Sequence, residues 1–366
     1  MAKDNIEKLV RPELASFGGY SAATSPETLE GKTEVKPEDI IKLDANENPY
    51  GCSPKVSKAL ARFDRYHIYT DNFQTRLREQ LAALTGVDAR YIVGGGGSNQ
   101  LIDLVLRLFV NPGDEVIHCV PTFGVYSFST GLCGGKLVSV SRDTNYDVDI
   151  KTVRSAITGK TKVICMANPN NPTGNLMPRQ QILELLDTGI PLLLDEAYYE
   201  FSGETMADMV GKYDNLMVLR TFSKWAGLAG LRVGYGLFPA MIADYLLTIK
   251  MPYNVNVAAL VAVEESLKDK DYLMSTVKKI INERERLFGE LKNITWLKTY
   301  PSRANFFLCH VLKGDAKQLR QKLQDKGILV RYFDQPQLKD YIRISVGKPE
   351  HTDTLMKVLR GIGDTP

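Results

Sequence analysis

Pro191-Leu192-Leu193-Leu194-Asp195-Glu196-Ala197-Tyr198-Tyr199-Glu200 opens as an unbroken apolar run and stops at a pair of carboxylates. Consecutive leucines with no polar alternation are what a strand covered on both faces requires. Similar runs are Glu115-Val116-Ile117-His118-Cys119-Val120, halted by Pro121, Lys162-Val163-Ile164-Cys165-Met166, and Leu216-Met217-Val218-Leu219. Stretches with helical spacing separate several of them. Leu101 to Phe109 is one, closed by the breaker Asn111-Pro112-Gly113, and Gln180 to Leu186 is another. This alternation predicts an α/β layer structure with a mostly parallel sheet covered by helices. In such folds ligands gather beyond the carboxyl ends of the strands.

Outside this region the texture changes. Residues 1–40 alternate short polar stretches with Pro12, Pro26 and Pro37 and read as an N-terminal arm. Residues 41–252 hold the strand–helix alternation of a large domain. After Pro252 a charged helical pattern runs from about Ala258 to Leu291, followed by short apolar pieces at 305–309, 327–331 and 341–346. Residues 253–366 therefore read as a smaller α+β domain. No repeat of roughly 20 to 50 residues and no low-complexity tract is present.

A chain of 366 residues with 44% apolar and 24% charged residues has the composition of a globular protein. A net charge of +3, with no basic block, points to neither nucleic acid nor an anionic membrane as partner. Five scattered cysteines without a C-x-x-C pair suit reduced thiols rather than a disulfide frame or zinc site. The four histidines offer little to a metal centre or a His-based triad. The N-terminus lacks the apolar core of a signal peptide, and nowhere do about 18 apolar residues run together. The expected location is the cytoplasm, or an organelle lumen after loss of a transit peptide.

The polar residues of interest follow directly on the strand-like runs. Asp195 closes one; a carboxylate there is costly unless a positive group pairs with it, and a protonated pyridine nitrogen is such a group. Asn168-Pro169-Asn170-Asn171-Pro172-Thr173-Gly174 is a turn whose amides can donate to an oxyanion such as a ring phenolate. Gly94-Gly95-Gly96-Gly97-Ser98-Asn99-Gln100 precedes a helix and offers free N–H groups suited to phosphate. It carries neither the dinucleotide fingerprint nor a Walker lysine. In Pro121-Thr122-Phe123-Gly124-Val125-Tyr126, Phe123 can cover one face of a planar ring. Each of these has a plainer structural reading: a helix cap, a turn, a flexible loop, a core aromatic. Finally, Thr221-Phe222-Ser223-Lys224-Trp225-Ala226-Gly227-Leu228-Ala229-Gly230-Leu231-Arg232 sets one amine among small residues, with hydroxyls before it and a guanidinium after it. That suits a lysine bonded to a carbonyl beside a bound anion, as a Schiff-base lysine carrying pyridoxal phosphate would be.

In this order the elements resemble the fold type I pyridoxal-phosphate-dependent aminotransferases over nearly the whole chain. Leu43-Asp44-Ala45-Asn46-Glu47-Asn48-Pro49-Tyr50-Gly51, the arm from Arg11-Pro12 to Tyr20, Leu228 to Tyr235, and Arg343-Ile344-Ser345-Val346-Gly347 narrow the resemblance to the histidinol-phosphate aminotransferase branch. It implies that Lys224 carries pyridoxal 5'-phosphate as a Schiff base and then shuttles a proton. Asp195 would pair with the pyridine N–H, Asn171 and Tyr198 would hold the ring oxygen, and Phe123 would stack on the ring. Ser98, Asn99, Ser223 and Arg232 would bind the phosphate, joined by Tyr69 from the partner subunit of a homodimer. Arg331 and Arg343, with Tyr20 and Asn46, would bind the substrate. The reaction implied exchanges an amino group between histidinol phosphate and 2-oxoglutarate.

Departures from the branch are Phe123 for a usual tyrosine, Gln100 for glutamate, Gly96 for asparagine, and no proline after Tyr69. They bear on substrate preference more than on reaction type. An aromatic-amino-acid aminotransferase of the same fold is the nearest alternative, and a phosphothreonine-type decarboxylase a more distant one. A nicotinamide dehydrogenase lacks its fingerprint here.

Overall fold

The computed structural model describes residues 4–15, 17–19, 25–29 and 35–363. Its strands, in chain order, are β1 (Ile41–Leu43), β2 (Ile92–Gly95), β3 (Glu115–Val120), β4 (Lys136–Ser141), β5 (Thr161–Ala167) and β6 (Leu192–Asp195). The later ones are β7 (Leu216–Thr221), β8 (Gly234–Leu237), β9 (Leu297–Thr299), β10 (Phe306–Val311), β11 (Ile328–Tyr332) and β12 (Tyr341–Ser345). The four apolar runs at 115–120, 162–166, 191–194 and 216–219 become neighbouring strands of one seven-stranded sheet, ordered β2-β8-β7-β6-β5-β3-β4.

Both faces of that sheet are buried, which is why its strands lack polar alternation. Leu192, Leu194, Ile164, Met166 and Val218 point into one core, while Leu193, Val163, Cys165, Met217 and Leu219 point into the other. Each fully buried leucine contributes about 1.5–3 kcal/mol relative to an exposed one. On the second face lies the helix Ser98–Phe109, whose Leu101, Ile102 and Val105 have no exposed surface.

The pairings β3·β4, β3·β5, β5·β6 and β6·β7 are parallel. Strand β8 runs antiparallel to both its neighbours, β7 and β2, so β2 points the same way as β7. The carboxyl ends of β2, β3, β5, β6 and β7 consequently share one edge of the sheet. Strand β8, Gly-Tyr-Gly-Leu, had no apolar run to announce it. At Gly234 a Cβ would lie 2.7 Å from the Ser98 nitrogen and 2.8 Å from the Arg220 oxygen, so backbone approach here admits no side chain.

The second sheet has the order β1-β11-β12-β10-β9. In it β1 pairs in parallel with β11 (Ile41 opposite Ile328, Leu43 opposite Val330), so residues 41–43 join strands of the C-terminal region. Three residues are too short a run to show a period, and their partner lies far along the chain. The charged pattern after Pro252 is two helices, Val257–Lys268 and Lys270–Leu291, broken at Asp269. Among the described residues no helix is long and apolar enough to cross a membrane.

Candidate active site

The shared edge of the large sheet faces the second sheet across a cavity of ≈ 810 Å³. Ser98 and Asn99, Phe123, Asn171, Asp195 and Tyr198, and Ser223, Lys224 and Arg232 line it, following β2, β3, β5, β6 and β7 respectively. Asn46, Arg331 and Arg343 line the opposite wall. Residues scattered along the chain are thus brought to one space by the parallel topology.

One end of the cavity is built for an anion. The helix Ser98–Phe109 begins there, with Gly97 before it at φ 82, ψ 162, a conformation essentially reserved for glycine. The Arg232 guanidinium packs on Gly97 so closely that a Cβ would come within 2.5 Å of Nη2. Arg232 itself is left-handed (φ 55) and donates from Nη1 to the Ala229 oxygen at 2.9 Å. Helix N–H groups, the Ser98 and Ser223 hydroxyls and a guanidinium converge as a dianion requires.

Three amides stand behind this cup, and two of them, Gln74 and Asn254, were not singled out in the sequence. Gln74 donates to the Gly94 oxygen at 3.0 Å and accepts from the Gly94 nitrogen at 2.8 Å. Asn254 donates to the Gly94 oxygen at 3.1 Å and to Gln100 Oε1 at 2.8 Å, and Gln100 Oε1 also accepts from the Gly96 nitrogen at 2.7 Å. At position 100 an amide oxygen suffices to accept both bonds, which accounts for glutamine in place of a carboxylate.

At the other end of the ring space, Asp195 is 4% exposed. Its Oδ1 accepts from the Ala197 nitrogen at 3.0 Å and its Oδ2 from the Tyr126 hydroxyl at 3.1 Å. Burial pushes its carboxyl up to about 6, against the pull of those two donors and of Lys224. Among the described residues no cation forms an ion pair with it, so the anion lacks the positive partner that burial calls for.

Lys224 Nζ donates to the Ala45 oxygen at 2.9 Å. Burial, then the charge of Arg343, lowers its ammonium to about 8, with Lys42 and Arg232 adding to the effect and Glu47 opposing it. Opposite, Arg343 donates from Nη1 to Asn171 Oδ1 at 2.7 Å and from Nη2 to the Asp44 oxygen at 2.6 Å. With its oxygen engaged, the Asn171 amide presents its N–H₂ as the remaining donor. Asn46 donates from Nδ2 to the Tyr198 hydroxyl at 2.9 Å while its own Oδ1 accepts from Ser345 at 2.8 Å. Asn46 adopts φ 56, which asparagine tolerates better than most residues. Arg331 stands directly opposite Arg343 in the β11·β12 register, so two guanidinium groups border the cavity side by side.

One expected residue lies elsewhere. Tyr69 is 79% exposed and stacks on Tyr253 with ring centroids 4.4 Å apart, away from its own chain's cavity. Tyr20 lies outside the described residues, although Phe17, Gly18 and Gly19 of the arm line the cavity. Tyr126, which sequence reasoning passed over, bonds Asp195 directly. Its spacing from Phe123 was the available signal: residues three apart at a helix start share a side. Their rings meet edge to face at 5.8 Å and 89°.

The set fits a flat heterocycle bearing a phosphate at the helix terminus, a ring N–H at Asp195 and an aldehyde at Lys224. Pyridoxal 5'-phosphate has this layout, and the uncompensated buried carboxylate matches its ring nitrogen.

Comparison with known proteins agrees. The chain is 55% identical to a histidinol-phosphate aminotransferase of Dehalococcoides mccartyi, over 98% of this chain and 99% of that protein. It is 44% identical to the chloroplastic histidinol-phosphate aminotransferase 1 of Arabidopsis thaliana, over 97% of this chain and 86% of that one. Among solved structures, histidinol-phosphate aminotransferase from Sinorhizobium meliloti in complex with pyridoxal-5'-phosphate superposes with a TM-score of 0.87 at 27% identity, covering 96% of this chain and 98% of that chain. The model for the family "Aminotransferase class I and II" matches residues 38–359. By a match that spans both sheets and the cavity between them, the chain belongs to the class I and II aminotransferases.

Proposed function

We propose that the chain transfers an amino group from L-histidinol phosphate to 2-oxoglutarate, giving imidazole-acetol phosphate and glutamate, and the reverse. The observation that carries this is the meeting of Lys224, Asp195 and the Arg232 cup on one side of a cavity with Arg331 and Arg343 on the other. Relatives of the same name at 44–55% identity support the substrate.

Bound in the cavity, pyridoxal 5'-phosphate supplies an aldehyde that accepts an amino group and a ring that accepts electrons. The chain's residues do the rest. Lys224 Nζ would hold the aldehyde and would take the α-proton of the bound donor. An amine lowered to about 8 holds a useful neutral fraction near neutral pH, which an ordinary lysine at roughly 10.4 does not. Asp195 would keep the ring nitrogen protonated, Asn171 and Tyr198 would donate to the ring oxygen, and Phe123 would cover one face of the ring. Arg331 and Arg343 present planar donors to the anionic end of each substrate, a phosphate ester in one case and a carboxylate in the other.

A second copy of the chain completes the site. Phe73 and Met251, each close in sequence to one of the stacked Tyr69 and Tyr253, are exposed as those two tyrosines are. The two segments are tied by Lys250 Nζ to Asn72 Oδ1 at 3.0 Å and Thr70 Oγ1 to the Val255 oxygen at 3.2 Å. Such a patch calls for a cover, and a homodimer that sets Tyr69 at the partner's phosphate provides one. Five unpaired cysteines support a cytoplasmic location. The deciding experiment is turnover of histidinol phosphate against phenylalanine, each with 2-oxoglutarate. A more than tenfold preference for histidinol phosphate is expected; the opposite preference would assign the chain to aromatic amino acids instead.

A further inference from the structure

We propose that Tyr126 is a positioning residue, whose hydroxyl fixes the Asp195 carboxylate in the plane and charge state that the ring nitrogen of the cofactor meets. The proposal rests on the reading of Asp195 as the partner of that nitrogen.

Tyr126 has no exposed surface, and its hydroxyl reaches Asp195 Oδ2 at 3.1 Å. Burial, then the neighbouring Asp195 charge, holds the phenol well above its ordinary range, so it stays protonated and serves Asp195 as a donor. The other oxygen, Oδ1, accepts from the Ala197 nitrogen at 3.0 Å. The carboxylate is therefore gripped at both oxygens and cannot rotate about its terminal bond. One grip is backbone and insensitive to side-chain identity; the other depends on a single hydroxyl. The carboxylate so held belongs to the lining of the cavity.

The same ring carries a second constraint. Tyr126 meets Phe123 edge to face, and Phe123 lines the cavity where a flat ring would lie. Tyr126 also lies in the first turn of the helix Val125–Leu132, and its own backbone oxygen accepts from Thr130 Oγ1 at 2.8 Å. Its position is thus set by the helix and the sheet rather than by the ligand. Deleting only the hydroxyl leaves the packing on Phe123 and removes the grip on Oδ2.

A double-mutant cycle on full-length protein separates this role from packing. Affinity for pyridoxal 5'-phosphate is measured by equilibrium dialysis in wild type, Tyr126→Phe, Asp195→Asn and the double variant. Loss of a hydrogen bond to a charged group predicts about tenfold weaker binding for Tyr126→Phe. In the Asp195→Asn background the same change should alter binding less than twofold, because no carboxylate remains to be held. Equal losses in both backgrounds, or none in the first, would overturn the proposal. If Tyr126→Phe fails to fold, 3-fluorotyrosine at position 126 is the substitute. Its more acidic hydroxyl should tighten binding only while Asp195 is present, and weaker or unchanged binding would overturn the proposal equally. Borohydride trapping on Lys224 of the wild type is the control: its absence would sink the functional reading as well, whereas trapping with an additive cycle would sink this proposal alone.

Discussion

Gly97→Ala tests the anion cup at its tightest point. The backbone at Gly97 sits at φ 82, ψ 162. Holding an alanine there costs about 1–3 kcal/mol of stability, since only glycine occupies that region readily. The new methyl would also stand 2.5 Å from Arg232 Nη2. Normal contact requires the guanidinium to withdraw by about 1 Å. That movement is cheap for the arginine but draws it off the position a phosphate needs. Losing one charge-assisted hydrogen bond weakens binding by about 1.5–3 kcal/mol, or roughly 10- to 150-fold. Urea unfolding of cofactor-free protein reads the first effect and equilibrium dialysis the second. Pyridoxal without its phosphate serves as the comparison ligand and should bind Gly97→Ala about as well as wild type. If pyridoxal 5'-phosphate binds the variant within twofold of wild type, or if pyridoxal loses as much as its phosphate ester, Arg232 and the helix start are not the anion site.

Three more outcomes are expected. In cofactor-free protein the Asp195 carboxyl is raised to about 6, so its contribution to stability is complete at low pH and is lost as pH rises through that value. Wild type should lose on the order of 3 kcal/mol relative to Asp195→Asn between about pH 3 and pH 7, by urea titration; parallel profiles would contradict the burial argument. Lys224, lowered to about 8, should react with an acylating or carbonyl reagent at a rate that climbs through that pH and then levels. A rate still climbing at pH ~10, the ordinary lysine range, would show the amine unperturbed. Met251→Asp, placing a charge on the exposed segment that carries Tyr253, should shift sedimentation toward monomer and reduce activity together; an active monomer would remove the partner's Tyr69 from the site.

The arrangement also explains how the site tolerates its departures from the family pattern. Gln100 retains the oxygen that accepts from Gly96 and Asn254, so the phosphate loop keeps its support without a buried charge. Phe123 retains its edge-to-face contact with Tyr126 without a hydroxyl. Neither change reaches Lys224 or Asp195.

Local pattern was enough to determine the α/β class, the run of buried strands and the residues that follow them. A strand covered on both faces must be apolar along its length, and a polar residue just past its end has few roles except at a site. Lys224, Asp195 and Asn171 were legible for that reason. Pairing across the chain was decided only by the tertiary structure. Strand β1 joins the C-terminal sheet, and β8 inserts antiparallel through glycines that carry no hydrophobic signal. The register that sets Arg331 opposite Arg343 belongs to two strands, and the bond from Tyr126 to Asp195 to two elements far apart in sequence. Such contacts leave no period in either segment, because each depends on where the other has folded.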